Sequence, residues 1–306
     1  MPLTPRLHAL MLSRTYTTRL QYRADEHAKT HIPGKTMDIF DGLHYHMLLG
    51  KHIVVGNQCL AHHYFSNHHD IALGFATDSF APFKKQKQTA WILLVFNYNL
   101  PPDECFQKDN ILCVGILPGP KKPQDADSFI YPLMQELLEL ATSVSAYDAL
   151  SCSIFALRAY LITAFGDIPA ISMLMHIKGH NALHPCQMCG IQGIRILDLQ
   201  NKMLYVPLSH RNHPTPTDVI KYHPERLPLC SHDGFMAQAK AVESARTETQ
   251  REELAKASGI KGVPLLSALG SLRFSPVVSI QLHASDLGKP HPESCSLLVW
   301  SLQGNG

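Results

Sequence analysis

Three apolar runs stand in a row, and an amphipathic stretch and a fourth apolar run follow them. The first three are Ile71–Thr77, Ala90–Tyr98 and Ile111–Leu117. The second is stopped by Pro101 and Pro102, the third by PGPKKP. Short apolar runs bounded by turn residues read as buried strands. Ser128–Val144 sets Ile130, Leu133, Met134, Leu137, Leu138 and Ala141 at helical spacing on one face. Phe155–Phe165 could be helix or strand; its end, Ile162–Phe165, and the stop at Gly166-Asp167-Ile168-Pro169 favour a strand entering a turn. Pro169 suits the first turn of a helix running on through Ala170–Ile177, with Asp167 near its cap. Short turns join antiparallel neighbours, whereas a parallel join needs a crossover helix. The order therefore predicts an α/β domain of ribonuclease-H-like type: a three-strand meander, a crossover helix, and a fourth strand beside the first.

That topology gives two acids a meaning. Asp78 follows the first run and Asp167 the fourth, 89 positions apart. Neighbouring first and fourth strands would bring them side by side. Paired carboxylates at strand ends suit a two-metal site for phosphodiester cleavage, because Mg²⁺ prefers oxygen ligands and keeps close carboxylates ionised. Alone, Asp78 reads as a turn residue and Asp167 as a helix cap.

With 306 residues, 45% hydrophobic and 17% charged, the chain can bury a core and is not disordered by composition. A net charge of +2 neither argues for nucleic acid nor excludes it, and Lys84, Lys85, Lys87, Lys121 and Lys122 form local basic runs that also suit a solvated face. Met1–Leu20 lacks the apolar stretch of a secretory signal, and no run approaches the ~20 residues of a membrane span, so no membrane partner is expected. Eight scattered Cys without a leader read as thiols or metal ligands, placing the chain in cytoplasm or nucleus.

Met1–Gly34 looks helical and basic. Asp38–Ser66 is mixed and His-rich, with a short strand at His52–Val55. Cys186 and Cys189 form a C-x-x-C pair. It signals zinc only with two further ligands, for which His210, His213, His180 and His184 are candidates; the alternative is two buried thiols. Asp233–Lys256 reads as one charge-rich amphipathic helix. The expected organisation is an N-terminal helical and mixed segment (1–66), a partial catalytic core (67–190), an insertion or helical region (191–274) and a tail (275–306).

The blocks LGFATDSFAPF, FNYNLPP, GILPGPKKPQDADSFIYPLMQELLEL, YDALSCSIFALRAYLITAFGDIPA and KGHNALHPCQMC together resemble, in order and spacing, the CACTA-type (En/Spm-like) DNA transposases, especially those of fungal genomes. The resemblance runs from about Leu7 to Phe274. It implies a ribonuclease-H-like core whose three acids hold two Mg²⁺ ions, cut-and-paste chemistry on transposon-end DNA, and nuclear location; it leaves a homo-oligomer open. Asp78 matches the family's first acid and Asp167 its second. Cys186 and Cys189 match its C-x-x-C, and His213 aligns with a histidine before Pro. Leu204 stands where a second histidine is expected, so the zinc set would recruit His210 or stay incomplete.

The chain also departs from the family. It begins inside the family pattern, and after Phe274 the resemblance stops. A one-nucleotide shift within permitted codons of Ser279–Cys295 restores family-like sequence, so the tail is expected to be out of frame. The third acid is expected beyond that point, which predicts a catalytically incomplete fragment, or else a non-catalytic DNA- or protein-binding module. Glu136, Glu139 and Asp148 are the internal alternatives for the third acid.

Overall fold

A computed structural model describes residues 1–32, 35–80, 89–119, 125–179, 181–194, 206, 222–223 and 226–273. These fall into two compact units: Met1–Asp167 with Leu265–Leu272, and Ile168–Pro264.

The first unit opens with four short helices, α1 (Thr4–Met11), α2 (Arg14–Arg19), α3 (Tyr22–Asp25) and α4 (His27–Thr30), then α5 (Leu43–Leu49). A hairpin follows, β1 (His52–Val55) with β2 (Gln58–His63). Next come β3 (Ile71–Phe80), β4 (Ala90–Asn97), α6 (Pro102–Cys105), β5 (Leu112–Pro118) and α7 (Asp127–Thr142). A second hairpin, β6 (Val144–Asp148) with β7 (Ser153–Leu157), precedes β8 (Ala159–Phe165). The main sheet has the order β5-β4-β3-β8. β3 pairs antiparallel with β4, β4 antiparallel with β5, and β3 parallel with β8. This is the meander, crossover helix and returning strand that the apolar runs predict, in a mixed α/β architecture.

The apolar pattern explains the layers. Ile71, Leu73, Phe75, Trp91, Leu93 and Val95 are buried in the central strands. Helix α7 buries Ile130, Leu133, Met134, Leu137, Leu140 and Ala141, the stripe its spacing requires, while Leu138 is only half-buried. Each large side chain taken fully out of water contributes about 1.5–3 kcal/mol.

Several elements depart from the sequence reading. β3 continues to Phe80, so Asp78 sits inside the strand, paired with Ile92, rather than after it. The stretch from Phe155, left open between helix and strand apart from its end, is the close of one strand and the whole of another, broken at Arg158, whose carbonyl accepts from Ile71 N–H at 2.9 Å. In the second unit α8 spans Ile168–Leu174, α9 His232–Glu243 and α10 Glu248–Ser258. The single helix expected over Asp233–Lys256 is therefore split. Thr247 causes the break, since its hydroxyl accepts from Gln250 N–H and caps a new helix, while the Gln250 side chain accepts from Arg246 N–H.

A buried polar network anchors the start of β3. Arg23, 7% exposed, donates to the carbonyls of Asn67, His68 and Asp70 and to Tyr45 Oη. Asn99 bridges β3 and β4: its Oδ1 accepts from Ala72 N–H at 2.8 Å and its Nδ2 donates to Asp70 O and Leu20 O. Burial raises the Asp70 carboxyl, offset in part by Asn67 N–H and the nearby Arg158 and Arg23.

Two substitutions test this packing. A Cβ at Gly74 would lie 2.6 Å from Tyr98 Cζ and 2.7 Å from its Cε2, while Tyr98 Oη is bonded to Thr163 Oγ1 at 2.9 Å. Gly74→Ala is expected to cost about 2 kcal/mol in denaturant unfolding, and an unchanged midpoint would refute the close approach. At the β6–β7 turn, burial pushes the Asp148 carboxyl up but is outweighed by the Ser151 hydroxyl, the Leu150 and Ser151 N–H groups and His69, which hold it below the usual range. A depressed carboxyl contributes stability above its unfolded pKa of about 3.9, lost as pH falls through the lower folded value. Asp148→Asn is therefore expected to cost about 1 kcal/mol near pH 7, with the gap to wild type narrowing below about pH 4.

Candidate functional site

Asp78 lies in β3 and Asp167 two residues past the end of β8, and the register of the two strands bears on whether those acids meet. The ladder runs Ile71↔Ala159, Ala72↔Tyr160 and Leu73↔Leu161, then slips by one to Gly74↔Thr163, Phe75↔Ala164 and Ala76↔Phe165. Ile162 is the extra residue, a β-bulge. The pairing ends at Ala76↔Phe165, two residues short of both acids; continued at the same spacing it would set Asp78 level with Asp167. Without the bulge Asp78 would stand level with Gly166, and Asp167 would belong to the other face, because side chains alternate. Asp78 is half-buried and Asp167 exposed. Asp78 Oδ1 accepts from Ser79 N–H at 2.7 Å, which turns that carboxylate along its own strand.

The donor set suits a hard divalent cation: one carboxylate on β3, partly withdrawn from water, and one just past the end of its parallel neighbour β8. No third carboxylate joins them in a cluster of three ligands among the described residues. The alternative acids have other tasks. Glu136 accepts from Leu3 N–H at 3.0 Å and Thr4 N–H at 2.7 Å, and so caps α1. Asp148 closes the β6–β7 turn. Glu139 lies exposed on α7.

The second unit holds the C-x-x-C pair in a knuckle. Met188 N–H donates to Cys186 Sγ at 3.3 Å. Opposite it, Cys189 bridges Leu229, Gly190 N–H donates to Pro228 O at 2.8 Å, and Cys230 N–H donates to Met188 O at 3.0 Å. The strand-like pairing thus sets a third thiol, Cys230, beside the pair. A cavity of about 360 Å³ is lined by His184, Cys186, Cys189 and Cys230 among others. The Cys189 thiol donates to Cys186 and, with the Met188 and Cys189 N–H groups, lowers Cys186 to about 6 against the effect of burial. Cys189 is raised by that same donation, and Cys230 by burial and then by the Cys186 charge. Such thiols suit a soft-accepting ion such as zinc.

His210 and His213, named as zinc candidates from the sequence, lie outside the described residues, as do His180, Lys84, Lys85, Lys87, Lys121, Lys122 and the tail from Phe274. Cys230 escaped the sequence reading because a lone Cys 41 positions after Cys189 carries no spacing signal; the signal available was PLC directly before a helix start. No described helix is long and apolar enough to cross a membrane.

No curated protein matches the chain. The family described as "Transposase family tnp2" matches residues 57–229, more than half of the chain, a span that includes Asp78, Asp167, Cys186 and Cys189 and ends one residue before Cys230. With the main sheet, both acids and the C-x-x-C pair inside that span, the chain belongs to the tnp2 transposase family.

Proposed function

We propose that this is a transposase-derived protein of the CACTA (En/Spm-like) type found in fungal genomes, with a ribonuclease-H-like core that acts on DNA in the nucleus. The observation that supports the reading is the parallel β3–β8 pairing inside the family-matched span, which ends two residues short of both Asp78 and Asp167. Mg²⁺ held at this pair would supply activation of water or a 3′-hydroxyl and stabilisation of the leaving oxygen. The chain's own residues present one carboxylate from β3, fixed by Ser79 N–H, and the other from the turn that follows β8. With two carboxylates and no third beside them among the described residues, the reading is of a pair that binds metal but does not complete strand transfer unaided.

Mn²⁺ binding followed by electron paramagnetic resonance tests the pair without requiring turnover. Asp78→Asn and Asp167→Asn are each expected to weaken binding at least about tenfold and to leave duplex-DNA affinity intact. DNA affinity should fall steeply with salt. Mn²⁺ affinity unchanged in both variants would sink the metal reading, and salt-dependent DNA binding surviving that result would favour a non-catalytic binding module.

We also propose that the knuckle binds structural zinc through Cys186, Cys189 and Cys230. His184 at the same cavity and His210 or His213 compete for the fourth position. Cys230→Ser is expected to lower zinc affinity by about two orders of magnitude, measured by competition with a chromophoric chelator. Affinity equal to wild type would remove Cys230 from the set, and the single His→Ala variants identify the fourth ligand.

A further inference from the structure

The N-terminal segment contains a cluster that neither the acid pair nor the knuckle uses. His27 Nε2 donates to Asp41 Oδ1 at 2.8 Å, and His31 Nδ1 donates to the same oxygen at 2.6 Å. These three atoms lie within 4.8 Å of one another, the only such group of three His, Cys, Asp or Glu among the described residues. His27 and His31 are one helical turn apart at α4, and Asp41 ends a 3₁₀ turn, Ile39–Asp41.

The surroundings are built rather than incidental. Asp41 is 5% exposed at its side chain, and its other oxygen accepts from Met37 N–H at 2.8 Å and Asp38 N–H at 2.9 Å. One carboxylate oxygen is thus fixed by backbone while the other faces the two imidazoles. Outer hydrogen bonds of this kind orient a metal-binding carboxylate. The Phe40 ring, 5.4 Å from that of His27, and Tyr22, at 6.5 Å, wall the site. His31 is 33% exposed, which leaves a path for an ion, and the His46 ring on α5 lies 6.3 Å from that of His31.

We propose that His27, His31 and Asp41 form a binding site for a divalent transition metal, zinc by ligand chemistry, with His46 or water as fourth ligand. Zinc bonds of about 2.0–2.1 Å in tetrahedral array set ligand atoms about 3.3 Å apart. The two nitrogens then need to withdraw from Asp41 Oδ1 by well under 1 Å. Each ring would exchange its N–H···O bond for a metal bond, a neutral imidazole moving its proton to the other ring nitrogen and a cationic one giving one proton to solvent. The ion would tie α4 to the turn that precedes α5.

The test uses the full chain carrying Cys186→Ser, Cys189→Ser and Cys230→Ser, so that the thiols of the knuckle are removed. After chelation and dialysis against Zn²⁺ alone, mass spectrometry should find about one equivalent bound. Adding His31→Ala should abolish it. Should that variant fold poorly by circular dichroism, Co²⁺ loaded into the triple-Cys variant gives the second measurement. Visible ligand-field bands without the near-ultraviolet thiolate band support the site, and their absence refutes it. No bound zinc in the triple-Cys variant, or stoichiometry unmoved by a folded His31→Ala variant, overturns the proposal.

Discussion

Parallel pairing between β3 and β8 is the constraint on which the candidate acid pair depends. Two strands 89 positions apart at their acids must be brought level, and only a crossover through α7 allows it. The pairing is not uniform: the bulge at Ile162 displaces the second half of β8 by one residue. Gly74 lies at the point where the register changes, and its missing side chain is where the Tyr98 ring sits, with the phenol bonded to Thr163 just past the bulge. A glycine, a tyrosine and a threonine on three neighbouring strands thereby share one small volume. The close packing there is what fixes which residue of β8 continues level with Asp78.

The beginning of β3 is held by different physics. Arg23 spends its guanidinium on backbone carbonyls of the loop before the strand, and Asn99 stitches the same loop to the end of β4. Charged and amide groups buried this deeply are stable because nearly every donor has a carbonyl or hydroxyl partner. The first part of β3 is therefore set by polar satisfaction at Asp70 and Ala72 and by steric fit at Gly74.

Much of this was legible in the sequence, for a physical reason. Strands buried on both faces and a helix with one apolar stripe leave periodic signals, and those elements were read with errors of a few residues. The β6–β7 hairpin left no such signal, because Ser145, Tyr147, Ser153 and Ile154 are exposed and the alternation is weak. The division of α9 from α10 turned on one capping hydroxyl inside a helix-favouring stretch. At the site, the positions of the acids could be read from strand ends, but the bulge could not, since it depends on a contact between residues far apart in sequence. Cys230 was invisible for the same reason: its proximity to Cys186 is made by backbone bonds between two loops.

The capping of α1 by Glu136 has a consequence for the order of assembly. Met1 N donates to Val114 O, Arg6 to Cys113 O, and Ala149 N–H to Met11 O, so these polar tethers of the helix lead more than a hundred residues downstream. Leu3, Leu7 and Met11 are buried only once those partners exist. During synthesis α1 thus precedes the partners that seat it by more than a hundred residues, and it carries an uncovered apolar stripe until they are made. The nascent chain presents chaperones with a handle at α1, and this handle is withdrawn when α7 docks.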